Sequence, residues 1–165
     1  MKFVLVDRIT ECEAGKRITA VKAVSLAEEY LADHFPGFPV LPGVLMLEAL
    51  VETAAWLVRV TLDFEPSLIE LREARNVTYK SFLQPGETLE MEAITRRLDA
   101  DGSEFSGIGR CAGREVVKAR FSLVHSSLAD ENPERAELDQ TLRAMAREQY
   151  KVLGGPDVRG AELVA

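Results

Sequence analysis

The sequence predicts an α+β fold in which one long helix packs against an antiparallel β-sheet. Three observations lead to this class. A run from Gly43 to about Thr61 has the length of a helix and is apolar at almost every position. Segments that alternate apolar and polar residues precede and follow this run, and turns containing Gly or Pro separate them. A second stretch with helical spacing follows the last of these strands.

Two strands and a short helix are predicted before the long helix. Residues 3–9 and 17–24 are rich in strand-forming residues, and they flank a turn signal at residues 13–16. Ser25 is followed three residues later by Glu28, which is a capping-box pattern. This pattern predicts a helix that ends near Asp33.

The segment HFPGFPVLPG, residues 34–43, contains three prolines and two glycines. This composition excludes regular helix and sheet, and it predicts a stiff, ordered loop. Pro42 is placed to be the first residue of the long helix, because its missing N–H would have no helical partner. From residue 44 to 58 nearly every residue is apolar, so the helix is predicted to be buried on nearly all sides. Glu48 and Glu52 nevertheless share one face of it.

Three or four antiparallel strands are predicted after the long helix, with a break near residues 74–76. A sheet of five or six strands would leave part of the helix uncovered, and dimerisation would cover the rest. An outer helix is predicted from about Asn132 to Leu153, with one apolar face that contains Leu138, Leu142, Met145 and Leu153. The two predicted parts of the chain are residues 1–127 and a C-terminal helical extension, 128–165.

Composition excludes several classes of protein. The net charge is −7, from 27 acidic and 20 basic residues, which argues against non-specific binding of nucleic acid. The longest apolar stretch is too short and too charged to span a membrane, and the N-terminus does not have the pattern of a signal peptide. Cys12 and Cys111 are far apart and form no metal-binding motif. We therefore expect a cytoplasmic protein with two reduced thiols and no metal.

Three groups within fifteen residues could carry chemistry. His34 lies in the stiff loop and could act as a general base, although a lone histidine is more often structural. Glu48 lies in a helix predicted to be buried, where the protonated form is favoured and suits a general acid; a structural ion pair is the alternative. The Gly43 N–H at the helix start has no helical acceptor and could stabilise an oxyanion, or Gly43 could simply permit a tight turn.

A base, an acid and an oxyanion donor fit one reaction class. The base would remove a proton next to a carbonyl group, and the acid would protonate a β-hydroxyl as it leaves. This is the dehydration of a 3-hydroxyacyl compound, or its reverse. His125 is predicted to be a surface residue at the end of a strand, without a catalytic role.

The sequence HFPGFPVLPGVLMLEAL closely resembles the signature of 3-hydroxyacyl-acyl-carrier-protein dehydratases of the FabZ type. In that family a His-Phe-Pro-Gly loop is followed by a Pro-Gly step into the central helix and by a Glu fourteen residues after the His. The segments FVLVDRI, GKRITAVKAVS and NVTYKSFLQPGETLEME also resemble family elements, so the resemblance covers about residues 3–125.

The resemblance implies a hotdog fold, a homodimer and often a trimer of dimers. It implies that His34 of one subunit takes the C2 proton and that Glu48 of the other protonates the 3-hydroxyl, while the Gly43 amide holds the thioester oxygen. Phe35, Pro42 and Val44 are implied as substrate-binding residues beside them. The substrate would be carried by acyl carrier protein, and no metal or organic cofactor is implied.

The chain departs from the family pattern in two places that bear on the site. The family usually has Gln four residues after the catalytic Glu, and here this residue is Glu52. The basic Arg-Arg-Pro element reads Lys80-Ser81-Phe82, which thins the patch expected for an acidic carrier protein. A hotdog thioesterase, or a non-catalytic acyl-binding relative, are the alternative functions.

Overall fold

The computed structural model describes residues 4–156. Within that range the chain forms six strands and four α-helices: β1 (Arg8–Glu13), β2 (Arg17–Ala23), α1 (Tyr30–Asp33), α2 (Gly43–Thr61), β3 (Leu68–Tyr79), β4 (Thr88–Leu98), β5 (Gly102–Cys111), β6 (Arg114–Ser126), α3 (Leu128–Glu131) and α4 (Ala136–Val152). A 3-10 turn, Pro133–Arg135, precedes α4. Residues 157–165 of the predicted extension lie outside the described residues.

The strands form one sheet in the order β1-β2-β4-β5-β6-β3, and every neighbouring pair is antiparallel. Helix α2 packs on one face of this sheet, against β2, β4, β5 and β6. The predicted α+β class, with a long central helix on an antiparallel sheet, is confirmed.

A row of small residues lets α2 approach the sheet closely. Ala93, Gly107 and Ala119 are cross-strand neighbours on β4, β5 and β6, and all three are buried. A Cβ atom built on Gly107 would lie 3.3 Å from the Leu50 Cδ1 atom of α2. The backbone of the sheet therefore supports the central turns of the helix directly.

Helix α2 has the bounds that the sequence predicts, because proline ends the loop before it. Pro42 is the N-cap rather than the first helical residue, with φ −55° and ψ 136°. Its carbonyl accepts hydrogen bonds from the Leu45 and Met46 N–H groups, at 2.9 and 3.2 Å. The prediction of burial on nearly all sides is wrong for the first two turns, where Val44 and Glu48 are exposed.

Two predictions about the N-terminal region are also wrong. Strand β1 begins at Arg8, whereas the prediction started the strand at residue 3; that residue lies outside the described residues, and residues 4–7 precede the strand. The capping box at Ser25 does not start a helix: the Ser25 hydroxyl accepts from the Ala27 N–H at 3.2 Å, and α1 begins only at Tyr30. The physical reason is a competing partner, since the Glu28 carboxylate binds the buried Lys22 ammonium at 2.7 Å.

The predicted break at residues 74–76 is a β-bulge within a single strand. The register between β3 and β6 shifts between Arg75 and Thr78, and Asn76 has φ 52°. Asn is among the few residues that tolerate this left-handed conformation. Strand β3 pairs with β6 on one side, and its other edge is open within the described part of the chain.

The C-terminal end of helix α4 lies at the opposite edge of the sheet, beside β1 and the end of α2. Tyr150 is buried, with its ring 6.1 Å from that of Trp56 and 5.9 Å from that of Phe64. The Ile9 N–H of β1 donates to the Leu153 carbonyl at 2.8 Å, which covers this edge. The Arg147 guanidinium binds the Asp63 carboxylate at 2.9 Å and lies 4.8 Å from the Phe64 ring centroid.

The apolar face predicted for this outer helix is confirmed at Leu153, which is buried, and is wrong at two other positions. Leu138 and Met145 are exposed, while the buried residues of α4 are Asp139 and Tyr150. Asp139 accepts a hydrogen bond from the Leu128 N–H at 2.8 Å and binds the Arg143 guanidinium at 2.8 Å. Polar contacts of this kind orient α4. The spacing of its apolar residues therefore does not show which face of the helix packs against the rest of the protein.

Candidate active site

His34 lies directly after α1 in an ordered turn. Its backbone N–H donates to the Tyr30 carbonyl at 3.2 Å, and its half-buried ring lies 4.4 Å from the Phe35 ring, centroid to centroid. Phe35 has φ 52°, and the Phe38 N–H donates to the Phe35 carbonyl at 2.7 Å. A bulky residue in the left-handed region is strained and persists where the surroundings hold it. The loop is neither helix nor strand from residue 35 to 42, as predicted.

Gly43 begins α2 in contact with the end of strand β3. A Cβ atom on Gly43 would lie 3.1 Å from Tyr79 Cδ1, so the Tyr79 ring covers the space that a side chain would need. Among the described residues, none accepts a hydrogen bond from the Gly43 N–H. The positive end of the helix dipole reinforces this free donor, which can bind a carbonyl oxygen.

Glu48 is exposed, which corrects the premise that it is buried. The sheet covers one side of α2, and Glu48 lies one turn after the exposed Val44 on the uncovered side. No hydrogen bond or ion pair joins Glu48 to His34 or to any other residue that the structure describes. The single chain thus presents the two proposed proton-transfer groups separately.

Glu52, one turn further along α2, is the half-buried carboxylate of this face. Burial raises its pKa above the ordinary Glu value, and the negative charges of Glu48 and Asp7 raise it further, while a hydrogen bond from the Leu5 N–H and the charge of Arg59 act in the opposite direction. Burial in turn lowers the pKa of Arg59, whose guanidinium lies 5.0 Å from the Trp56 ring centroid. The buried environment that favours a protonated carboxyl group, predicted for Glu48, is therefore found at Glu52.

Exposed aromatic side chains surround the His34 loop. Phe38 and Phe82 meet edge to face with centroids 5.6 Å apart, and Tyr79, Phe35 and Phe82 are 45%, 57% and 63% exposed. Val44 is 69% exposed and Pro42 is half-buried. Phe35, Pro42 and Val44 therefore lie on the open side of the loop and helix. Sequence reasoning missed Tyr79 and Phe82, because their proximity to this loop is a long-range contact that no local pattern reveals.

Two other sequence predictions concern residues outside this face. His125 is buried rather than on the surface: its Nε2 lies 2.8 Å from the Ser103 hydroxyl, and burial lowers its pKa. Lys80 of the thinned basic element binds the Glu115 carboxylate at 2.6 Å, so its charge is compensated.

A groove of about 390 Å³ lies on strands β3, β4, β5 and β6, and neither His34 nor Glu48 lines it. Its charged lining residues are Glu73, Arg75, Arg96, Glu104 and Arg120.

The described residues contain no group of three or more His, Cys, Asp or Glu side chains that could hold a metal ion. Cys12 and Cys111 are free thiols. Within residues 4–156, none of the helices is both long and apolar enough to cross a membrane.

A protein-family model described as a FabA-like domain matches residues 1–119, which include the loop, α2 and most of the sheet. The chain belongs to the FabA-like family. It is 34% identical over 122 residues to the 3-hydroxyacyl-acyl-carrier-protein dehydratase FabZ of Wolbachia pipientis wMel, an alignment that covers 74% of this chain and 85% of the relative. It is 40% identical over 118 residues to FabZ of Thiobacillus denitrificans, with 70% and 77% covered.

A solved structure shares the fold. The dehydratase heterocomplex ApeI:P from Xenorhabdus doucetiae matches with a TM-score of 0.64 at 18% identity, covering 76% of this chain and 85% of that chain. The resemblance to FabZ and the hotdog fold, both predicted from the sequence, are thereby confirmed. The roles of the individual site residues stay predictions.

Proposed function

We propose that this FabA-like protein dehydrates (3R)-3-hydroxyacyl thioesters to trans-2-enoyl thioesters in fatty-acid or related acyl-chain biosynthesis. The observation that carries the proposal is the free Gly43 N–H at the start of α2, with the His34 loop before it and Glu48 on the second turn after it. In the order of the chain, this oxyanion donor lies between the candidate base and the candidate acid. Relatives named FabZ dehydratases at 34% and 40% identity support the same reaction.

In the proposed mechanism the Gly43 N–H binds the thioester carbonyl oxygen and stabilises the enolate. Neutral His34 takes a proton from C2, and protonated Glu48 gives its proton to the 3-hydroxyl group. The C3–O bond then breaks, the C2–C3 double bond forms, and water leaves. Transfer of the proton from His34 to Glu48 restores both groups. Phe35, Pro42 and Val44 would contact the acyl chain or the pantetheine arm.

We further propose that two copies of the chain form the site. Val44 and Glu48 occupy the uncovered side of α2, and the edge of β3 next to it is open within the described residues. An open edge of twelve residues is long for an unpaired strand, and pairing with a second copy would satisfy its backbone groups. His34 of one subunit would then face Glu48 of its partner. Assembly into a trimer of dimers is the larger form that the family resemblance suggests.

Acyl carrier protein is the proposed carrier of the substrate, because the relatives' names specify it. A cytoplasmic location stays a prediction from the sequence. We also propose that residues 1–127 form the dehydratase unit and that 128–165 form an extension without a catalytic role. The contacts of α4 with the end of α2 and with β1, rather than with the His34 loop, support this division.

Incubation with a crotonyl thioester tests the function. Hydration removes the conjugated-enoyl absorbance while the thioester stays intact, and this result is expected. Release of free thiol would instead indicate a hotdog thioesterase. If neither signal appears with crotonyl-CoA or with a crotonyl-acyl carrier protein, the protein is an acyl-binding relative and the proposal is wrong.

A further inference from the structure

The groove on β3, β4, β5 and β6 lies on the face of the sheet that points away from α2. Gly107 and Ala119 are buried on the face that α2 covers. Successive side chains of a strand point to opposite faces, so Ser106 and Arg120, which are their neighbours in sequence, point outward. The volume of about 390 Å³ lies within the range of small-molecule sites. The groove is therefore separate from the candidate active site on α2.

Two arginines stand opposite each other where this groove crosses from β3 to β6. Arg75 of β3 pairs directly with Arg120 of β6, and both side chains are exposed. The Cβ atoms of such a pair are about 4.5–5.5 Å apart, and like charges in this arrangement destabilise a sheet. Ser106 of β5 is next to Arg120 in the same row, and its hydroxyl accepts the Nε–H of Arg96 at 2.9 Å. Three guanidinium groups therefore line one groove.

The groove lies between two irregularities of the sheet. The register between β4 and β5 shifts at Arg96, and the register between β3 and β6 shifts at Asn76, which has φ 52°. Bulges of this kind bend a strand and change the direction of a side chain, and they are frequent beside functional sites. Arg96 and Asn76 both line the groove, so the two bulges place polar side chains at its sides.

The charges of the groove leave two cations without a carboxylate. Glu73 binds the neighbouring Arg75 at 2.6 Å, and Glu104 lies 3.7 Å from an arginine outside the groove. Within residues 4–156, neither Arg96 nor Arg120 has an ion-pair partner. A phosphate group carries a charge of about −2 near neutral pH, and guanidinium groups bind its oxygens through two parallel hydrogen bonds. A phosphate therefore matches this pair in both charge and geometry.

We propose that this groove binds a phosphate group, either as inorganic phosphate or as part of a small phosphate ester, between Arg96 and Arg120. Arg75, the Ser122 hydroxyl and the Asn76 amide line the same groove and can donate to the remaining oxygens. The bound dianion offsets the repulsion between the two opposed arginines. The inference concerns binding alone and does not rest on the proposed dehydratase function.

Isothermal titration calorimetry of the full chain with inorganic phosphate tests the proposal. The titration is made at constant, low ionic strength, because salt screens contacts between exposed charges. Saturable binding with a Kd below about 1 mM is expected. Arg96→Ala and Arg120→Gln each remove a charge-assisted contact, and each should weaken binding by about 10- to 100-fold.

Arg114→Ala is the matched control for the loss of one positive charge. Arg114 is exposed on the same strand as Arg120, roughly 20 Å away along β6, so its removal should leave Kd unchanged. Absence of saturable binding up to about 10 mM phosphate, ten times the expected limit, overturns the proposal. Equal effects of the control and the two groove variants would also overturn it. Arg96 and Arg120 are tested separately, so one variant that fails to fold leaves the other informative.

Two further titrations identify the source of the phosphate. If phosphopantetheine binds more tightly than inorganic phosphate, the ligand is an ester whose organic part lies along the groove. Equal or weaker binding identifies free phosphate as the ligand. If phosphate does not bind but an acyl carrier protein without its phosphopantetheine group does, and Arg120→Gln abolishes this binding, the groove is a protein-docking surface and the proposal is wrong.

Discussion

Gly107 in β5 lies in close contact with α2, and Gly107→Ala should disturb the packing of the helix on the sheet. The added Cβ atom would lie 2.9 Å from Phe121 Cε1 and 3.3 Å from Leu50 Cδ1. Leu50 is fully buried and Phe121 is 3% exposed, so neither side chain has free space to move into. The backbone of Gly107 needs no left-handed conformation, so the steric conflict is the only source of strain.

The expected loss follows from the cost of overpacking a filled core. Such substitutions cost about 1–3 kcal/mol. For a protein of this length each kcal/mol lowers Tm by about 2–4 °C, so a decrease of about 2–12 °C is expected. Urea and thermal unfolding, followed by circular dichroism at one protein concentration, measure both quantities.

Gly102→Ala on the same strand is the matched control. Its new Cβ atom would lie 3.5 Å from the Leu123 carbonyl oxygen, an ordinary contact, so we expect a change within about 0.5 kcal/mol. If Gly107→Ala is as stable as the control, the inference that this row of small residues allows α2 to pack closely on the sheet is wrong.

Three further predictions concern the site and the extension. His34→Ala and Glu48→Gln should fold normally and lose about 10²–10⁴-fold in dehydration, measured by the enoyl absorbance; near-normal turnover in a folded preparation of either variant would refute its role. Truncation after Ser127 should lower Tm but keep activity per folded site, because the Arg147 and Tyr150 contacts of α4 stabilise the end of α2; an assembled but inactive truncation would show that the extension shapes the site. The raised pKa of Glu52 means that its folded form binds protons more tightly than the unfolded chain, so its contribution to stability falls as pH rises through and above the ordinary Glu pKa. The free energy of unfolding of Glu52→Gln, taken relative to that of the wild type, should therefore be more favourable at about pH 8 than at about pH 4. An equal difference between the two proteins at both pH values would contradict this.

Local chemistry determined what could be predicted from the sequence. Pro42 and the long apolar run set the bounds of α2, and Gly- or Pro-containing turns separated the strands, so the sheet was predictable in outline. The errors arose where a distant partner decides the outcome. Lys22 binds Glu28 and displaces the expected capping box, and Ser103 pairs with His125 inside the fold.

The candidate site divides in the same way. The spacing of His34, Gly43 and Glu48 is a local property, and it identified the family. The exposure of Glu48 depends on which side of α2 the sheet covers, and periodicity cannot show this for a helix that is apolar almost all round. The contact between Gly43 and Tyr79 joins residues far apart in the chain and had no signal in the sequence.

Subunit mixing tests most directly the central claim, a dehydratase site built from His34 of one copy and Glu48 of another. His34→Ala and Glu48→Gln chains are unfolded together, refolded and assayed for dehydration. In each mixed dimer one site carries both substitutions and the other carries neither, so with random pairing about a quarter of all sites should recover. Sites built within single chains would each carry one substitution. An inactive mixture in which mixed dimers are shown to be present would contradict the shared site.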